Sequence, residues 1–378
     1  MASLAYQPLI LELLARVARA RDWFRERHPD ARRAGEHRSG FYADAWRDAA
    51  AHLGASVELL NNDVLEIRHG SACTRVRQTI TAADDPVTLA IAGNKPLAYR
   101  LLARQGLHLP RYLEFTLGDI SQAVDFIAGS RMEWVVKPAN GAAGRGVTTG
   151  VRSRSDLIRA AVAAAAYEPH LLVEQQIEGD VYRLLYLDGL LLDAVLRKGP
   201  TITGDGRSTI GQLVESENRA RLADGAKRAQ VLLSVDLDMR RTLERQGLSP
   251  SSVPTKGARL TVKTVINENS TADNLPAATL VCKSVVEEGA AAAAAVGARL
   301  AGVDIVTRDP RVSLAASGGV ILEVNTTPGY HYHYHQRDGG VPVAIPVLAW
   351  LLRREAAAEQ PSRNPLGARQ DDCLLRAG

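Results

Sequence analysis

The sequence predicts a mixed α/β (α+β) protein assembled from more than one packed unit. Short apolar strands alternate with helix-period segments along most of the chain. A polar stretch over 199–259 interrupts that alternation. The length, 378 residues, exceeds what one hydrophobic core usually organises. The expected organisation is an N-terminal α/β unit over 1–88, a larger unit over 89–355 with a small inserted subdomain at about 199–259, and a polar C-terminal tail over 356–378 with Pro361 and Pro365.

Helices are expected over Leu9–Arg27 and Tyr42–Leu53, the second stopped by Gly54. Strands follow at Ser56–Leu60 and Val64–Arg68, around the turn residues Asn61-Asn62-Asp63. In the larger unit Asn94-Lys95-Pro96 opens a helix to about Gln105, and Ile120–Ala128 and Ser155–Ala166 read as helices. Strands are expected at Arg111–Phe115, Trp134–Pro138, Leu171–Gln175, Tyr182–Leu187 and Leu191–Leu196. The inserted stretch has a turn at Gly204-Asp205-Gly206 and charged helices near Ile210–Leu222 and Leu237–Gln246. A strand at Leu260–Val265, a helix over Pro276–Leu300 and strands at Val303–Val306 and Val320–Val324 complete the reading.

Composition excludes several classes. Net charge is +4, without long basic runs or a nucleic-acid reader motif, so no nucleic-acid partner is expected. Cys73, Cys282 and Cys373 are far apart and form no CxxC, which argues against a disulfide framework or zinc site and for a cytoplasmic location. The apolar stretch Tyr6–Phe24 is broken by Glu12, Arg16 and Arg19 and reads as an amphipathic helix, not a signal peptide. No apolar run is long enough to predict a membrane span.

Four segments carry candidate chemistry. Lys137 ends an apolar strand just before Asn140-Gly141-Ala142-Ala143-Gly144-Arg145-Gly146-Val147, whose small residues let backbone N–H groups approach an anion. No Gly-Lys-Ser/Thr follows, so it is not a Walker A loop, and taken alone an ordinary glycine turn fits as well. Val173-Glu174-Gln175-Gln176-Ile177-Glu178-Gly179 ends a strand in a polar cluster that can border an adenine edge; an ordinary strand end is the simpler reading. Asp304, Glu323 and Asn325 sit in or at the ends of apolar strands, where carboxylates are costly unless neutralised. Three oxygen ligands there suit Mg²⁺, with a buried salt bridge to Lys or Arg as the alternative. His331-Tyr332-His333-Tyr334-His335, read as a strand, puts all three histidines on one face. That pattern allows a transition-metal site, but a substrate or structural role is favoured because the run follows Pro328-Gly329 directly.

The order of these segments resembles the ATP-grasp superfamily: Lys95, then Val136-Lys137-Pro138 with its loop, Glu174-Gln175-Gln176-Ile177, Asp304, and Glu323-Val324-Asn325-Thr326-Thr327-Pro328-Gly329. The likeness is nearer to the ATP-grasp portion of cyanophycin synthetases than to D-alanine–D-alanine ligases. It is carried by Tyr182-Arg183, Arg197, Gly204-Asp205-Gly206-Arg207-Ser208-Thr209-Ile210, Ser252-Val253-Pro254 and Gly302-Val303-Asp304-Ile305-Val306-Thr307, and spans roughly Asp85 to Leu351. The resemblance implies an ATP-grasp fold and an ATP- and Mg²⁺-dependent ligase joining a small-molecule carboxylate to an amine, with an ATP-grasp ligase of a non-amine acceptor, or a nucleotide-binding scaffold lacking turnover, as the alternatives. It places Lys95, Lys137 and the loop Asn140, Gly141, Gly144 and Gly146 on ATP phosphates, and Glu174, Gln176 and Ile177 near adenine. Asp180 takes the ribose in place of the usual acidic residue, whose position is Val181 here. Asp304, Glu323 and Asn325 carry magnesium, Lys137, Arg183 and Arg197 act in catalysis, and Asn267, Gly329, Tyr330 and His331 contact substrate. Val303, where D-alanine–D-alanine ligases have Arg, argues against that substrate pair. The chain lacks the Mur-ligase-like half of cyanophycin synthetase, so a single condensation is expected over a long polymer. The resemblance allows a homodimer.

Overall fold

The computed structural model describes residues 8–26, 28–61, 63–141 and 144–359. Cys373 and the tail beyond 359 lie outside the described residues, as do Asn62 in the first hairpin turn and Ala142 and Ala143 in the glycine loop. Cys73 and Cys282 are free thiols.

The first described elements are α1 (Pro8–Glu26) and α2 (Pro29–His52). The second helix begins thirteen residues before the expected Tyr42, because Pro29 occupies its first turn and the His28 ring accepts a hydrogen bond from the Asp30 amide as its cap. Gly35 and Gly40 inside it weaken local propensity, which is what hid this turn of helix from the sequence. Strands β1 (Ser56–Asn61), β2 (Val64–His69) and β3 (Ala72–Arg77) form an antiparallel meander in chain order. The third strand was not expected, and its inward face, Ala72, Thr74 and Val76, is buried.

Next come α3 (Pro86–Gly93), also unforeseen, and α4 (Lys95–Arg104), capped by the Asn94 side chain accepting from the Leu97 amide. A four-stranded antiparallel sheet follows, from β4 (Tyr112–Phe115), β5 (Trp134–Pro138), β6 (Thr148–Val151) and β7 (Leu171–Gln175), in the order β4-β7-β5-β6. Helices α5 (Ile120–Ile127) and α6 (Arg154–Ala165) cover it, the latter started by a Ser153/Asp156 capping box. Its alanines Ala160, Ala161 and Ala164 let the helix lie close on β5 and β7.

The second large sheet runs β12-β9-β8-β13-β14. Its members are β8 (Asp180–Leu187), β9 (Leu190–Arg197), β12 (Asn274–Pro276), β13 (Leu300–Thr307) and β14 (Val320–Asn325), all antiparallel to their neighbours. Helix α9 (Lys283–Val296) packs on it, ending at Gly297 with φ 81°. This helix is shorter than the expected 276–300. Residues 274–276 instead pair with β9 as an edge strand, a position that tolerates Pro276.

Between β9 and β12 lie β10 (Thr201–Thr203), α7 (Ile210–Asp224), α8 (Leu237–Glu244) and β11 (Arg259–Thr261). Ile202, Ile210, Val214, Met239, Leu243 and Val262 make a small core of their own there. The strand expected over 260–265 is confined to β11, because only Arg259–Thr261 finds a partner, in β10. The chain continues through α10 (Leu314–Ser317), α11 (His331–Tyr334) and α12 (Ala344–Glu359). Helix α12 packs its Val347, Leu348 and Leu351 against α2 and the meander, in one core with Tyr42, Trp46, Leu65 and Ile67. The His331–His335 run is helical, which overturns the strand reading and the single face of three histidines that depended on it. No described helix is long and apolar enough to cross a membrane.

Candidate active site

A cavity of about 830 Å³ is lined by residues of both larger sheets, of α2, and of the segment between β9 and β12. Strand register explains its polar floor. Asp304 on β13 lies opposite Arg183 of β8 on one side and Glu323 of β14 on the other, so the three side chains share a face. Asn325, two residues beyond Glu323, falls on the same face.

Arg183 grips Asp304 with both arms: Nε donates to Oδ1 at 2.5 Å and Nη2 to Oδ2 at 2.7 Å. Burial works against the guanidinium charge, but the carboxylate more than offsets it, and Arg183 stays charged. Lys95, the first residue of α4, donates from Nζ to the Gly141 carbonyl at 2.8 Å and lies 3.2 Å from Glu323 Oε1. Burial opposes the charge of Glu323 as well, and the cations Lys95, Lys137 and Arg183 hold its carboxyl below the usual range.

Lys137 is inward-facing on β5, with Nζ 2.7 Å from Glu174 Oε1 and 3.5 Å from the Tyr99 hydroxyl. Tyr99, one turn after Lys95, lies 2.9 Å from Glu174 Oε2 and 2.8 Å from the Leu322 carbonyl, donating its one proton to either. It thus ties β7 and β14 together beneath the lysines. Sequence reasoning missed Tyr99, although its i+4 spacing from Lys95 was a usable signal.

Glu174, Gln176, Ile177 and Asp180 line the cavity along one rim, with Val181 beside them. Gln176 also has a structural task, its Oε1 accepting from the Gly150 amide at 2.7 Å. Asp180 Oδ1 is 2.5 Å from Lys198 Nζ, with both side chains half exposed. Gly141 and Gly144 line the cavity too. At Gly144, with φ 68°, an added Cβ would come within 2.6 Å of Asn267 Nδ2 and Val265 Cγ1.

Arg197, at the end of β9, is buried to 1% exposure. Its Cζ stacks 3.7 Å over the Tyr332 ring, and Nη2 lies 3.4 Å from Asn267 Oδ1. Its Nε and Nη1 have no partner among the described residues. Gly329 and His331 line the same wall. Burial, reinforced by Arg197, holds His331 well below the ordinary imidazole value, so the ring is neutral and its Nδ1 is unpartnered among the described residues. His333 points elsewhere: its Nδ1 meets buried Asp193 Oδ2 at 2.7 Å, and Gln336 Nε2 donates to the same oxygen at 2.8 Å. That cluster anchors α11, so Tyr332 and His331 are presented from a fixed turn.

Three expected site residues do not reach the cavity lining. Tyr330 is fully buried in the core against Trp46 and Tyr42, where aromatic packing claims it. Gly146 packs on α6: an added Cβ would lie 2.8 Å from the Tyr167 ring and 3.1 Å from Ala164 Cα, so close packing explains this glycine. Asn140 pairs through its backbone with Asn94 and fastens the loop to the start of α4. Residues with no legible signal also line the site, among them Arg38 and Tyr42 of α2, Gln230 and Lys263. Among the described residues no group of three His, Cys, Asp or Glu side chains is placed to hold a metal.

The two antiparallel sheets, with a cavity floored by lysines and opposed carboxylates between them, have the architecture of an ATP-grasp fold. The bifunctional glutathione synthetase from Pasteurella multocida shares this architecture, with a TM-score of 0.51 and 23% identity over 80% of this chain and 42% of that one. Within that class the sequence is similar to cyanophycin synthetases. The protein from Trichormus variabilis is 28% identical over 338 residues, 84% of this chain and 37% of the relative. The glutathione biosynthesis bifunctional protein GshAB from Enterococcus faecalis is 27% identical over 311 residues, 80% of this chain and 41% of the relative. The chain therefore spans less than half the length of these curated relatives. No family model matches it.

Proposed function

We propose that this chain is an ATP- and Mg²⁺-dependent carboxylate–amine ligase that forms an amide or peptide bond and releases ADP and phosphate. The observation that carries the reading is the juxtaposition on one cavity floor of Lys95, Lys137 and Arg183 with the in-register pair Asp304 and Glu323 and with Asn325.

The oxygen donors fit magnesium. Carboxylate and amide oxygens are the ligand type it takes, and few protein ligands suffice when phosphates supply the rest. Arg183 occupies one lone pair on each Asp304 oxygen and leaves another on each, so the ion pair and metal ligation are compatible. When bound, the metal supplies neutralisation of phosphate charge. ATP supplies the phosphoryl group that turns the substrate carboxylate into an acylphosphate, from which the amine displaces phosphate.

The chain's own groups position and neutralise. Lys95 and Lys137 bind phosphate oxygens, Lys137 with a third N–H beyond those toward Glu174 and Tyr99. Glu174, Gln176 and Ile177 border the base, and Asp180 reaches the ribose. Arg197 faces negative charge at the acyl group, and neutral His331 can accept a proton at Nδ1. The relatives' names support amino acids or short peptides as substrates. A cytoplasmic location, a homodimer, and an organisation into units at 1–88 and 89–355 with an insert at 199–259 belong to the same proposal.

The test is product identity with a carboxylate-¹⁸O acid. One label should appear in released phosphate. Label in AMP would replace the proposal with adenylation.

A further inference from the structure

Four buried cations of the cavity wall have carboxylates of their own: Lys95 with Glu323, Lys137 with Glu174, Arg183 with Asp304, and Lys263 with Asp236 and Glu268. Arg197 has none among the described residues. The same cavity holds a second incomplete group. Gln230, in the turn between α7 and α8, is 4% exposed and lines the cavity, yet neither its Nε2 nor its Oε1 has a partner among the described residues. A buried primary amide unsatisfied at both ends is costly, and native structures rarely keep one without a reason.

Arg221 ties the segment of Gln230 to the segment that carries Asn267. Its Nη1 donates to the Val231 carbonyl at 2.6 Å and the Glu268 carbonyl at 2.8 Å, so the backbone after Gln230 runs beside the backbone after Asn267. Asn267 in turn contacts Arg197. Helix α2 buttresses this turn, with His37 against Gly225 and Arg38 in the cavity wall.

We propose that Gln230 is a specificity-determining residue that reads an adjacent hydrogen-bond acceptor and donor on a substrate, with Arg197 facing the substrate's negative charge. A free α-amino acid presents that pattern; a simple amine does not. This rests on the ligase reading and deepens it. It gives the segment between β9 and β12, held in place by α2, the task of substrate selection.

The test measures binding, so that it does not depend on turnover. Each of the common α-amino acids, and the amine lacking its α-carboxylate, is titrated calorimetrically into the full chain with and without a non-hydrolysable ATP analogue and Mg²⁺. At least one amino acid should bind, and its decarboxylated counterpart should bind at least roughly tenfold more weakly. Gln230→Leu should weaken the amino acid by a similar factor, leave the nucleotide analogue within about twofold, and unfold at no lower temperature than the parent, since it removes an unsatisfied amide. Equal binding of acid and amine, no binding of any amino acid by a chain that binds the nucleotide, or an unaffected Gln230→Leu overturns the proposal. Weakened nucleotide with unchanged amino acid assigns Gln230 to phosphate and overturns it as well. Amino-acid binding that is sensitive to Gln230→Leu, in a chain that ignores the nucleotide, upholds the selector and sinks the ATP-dependent reading instead.

Discussion

Asp304→Ala should expose how far the site's electrostatics also support the fold. The substitution leaves the Arg183 guanidinium, 7% exposed in its side chain, without the carboxylate that meets it at 2.5 and 2.7 Å. Breaking one half of such a pair costs about 3–5 kcal/mol, mostly for the uncompensated charge left behind. At roughly 1.3 °C per kcal/mol for a chain of this size, Tm should fall by about 4–6 °C. The double variant Asp304→Leu with Arg183→Met removes both charges and should return to within about 1–2 kcal/mol of the parent, because apolar replacement of a buried pair is often neutral. Chemical denaturation of parent, single variants and double variant closes the cycle. Costs of the two single changes that simply add would refute the claim that the pair is coupled. The milder Asp304→Asn keeps one oxygen acceptor. In an ADP-release assay it should raise the magnesium concentration for half-maximal rate, and an unchanged titration curve would make Asp304 structural only.

Lys137→Ala should lower ADP release by at least about a hundredfold, the scale of losing one pre-positioned charge-stabilising group, while the variant still folds. Near-normal rates in purified, cooperatively unfolding protein would remove Lys137 from the phosphate site. His331 and His333 both titrate below 6.5 in the fold, chiefly through burial. Below that pH the unfolded chain takes up more protons, so stability should fall as pH drops through the ordinary imidazole range, by at most about 1.4 kcal/mol per pH unit for each histidine, and be unaffected above it. Melting curves between pH 8 and 5.5 should be flatter for His331→Asn than for the parent, and equal slopes would contradict the burial of a neutral ring.

Much was legible in the sequence because it is local. Helix α4 announces itself through Asn94 and Pro96, and β5, β7, β8, β9 and β14 through short apolar runs, since capping and strand alternation are written in adjacent residues. The order Lys95, Lys137, Glu174, Asp304, Glu323, Asn325 was legible through its resemblance to the ATP-grasp superfamily, since each segment taken alone also fits an ordinary structural reading.

Tertiary structure alone decided how those residues meet. Whether Asp304 faces a cation, a metal or both depends on strand register, which sets Arg183 and Glu323 on either side of it. Tyr330 reads as a neighbour of the substrate motif, but its ring faces Trp46 from a helix nearly three hundred residues away in sequence. The histidine run alternates like a strand but folds as a helical turn, with His333 held from the side by Asp193 and Gln336. Arg38 and Gln230 look like ordinary polar residues until long-range packing brings α2 and the turn after α7 to the same cavity. Local sequence sets most of the elements that form; which side chains share a cavity is set by the packing of distant surfaces, which no local pattern encodes.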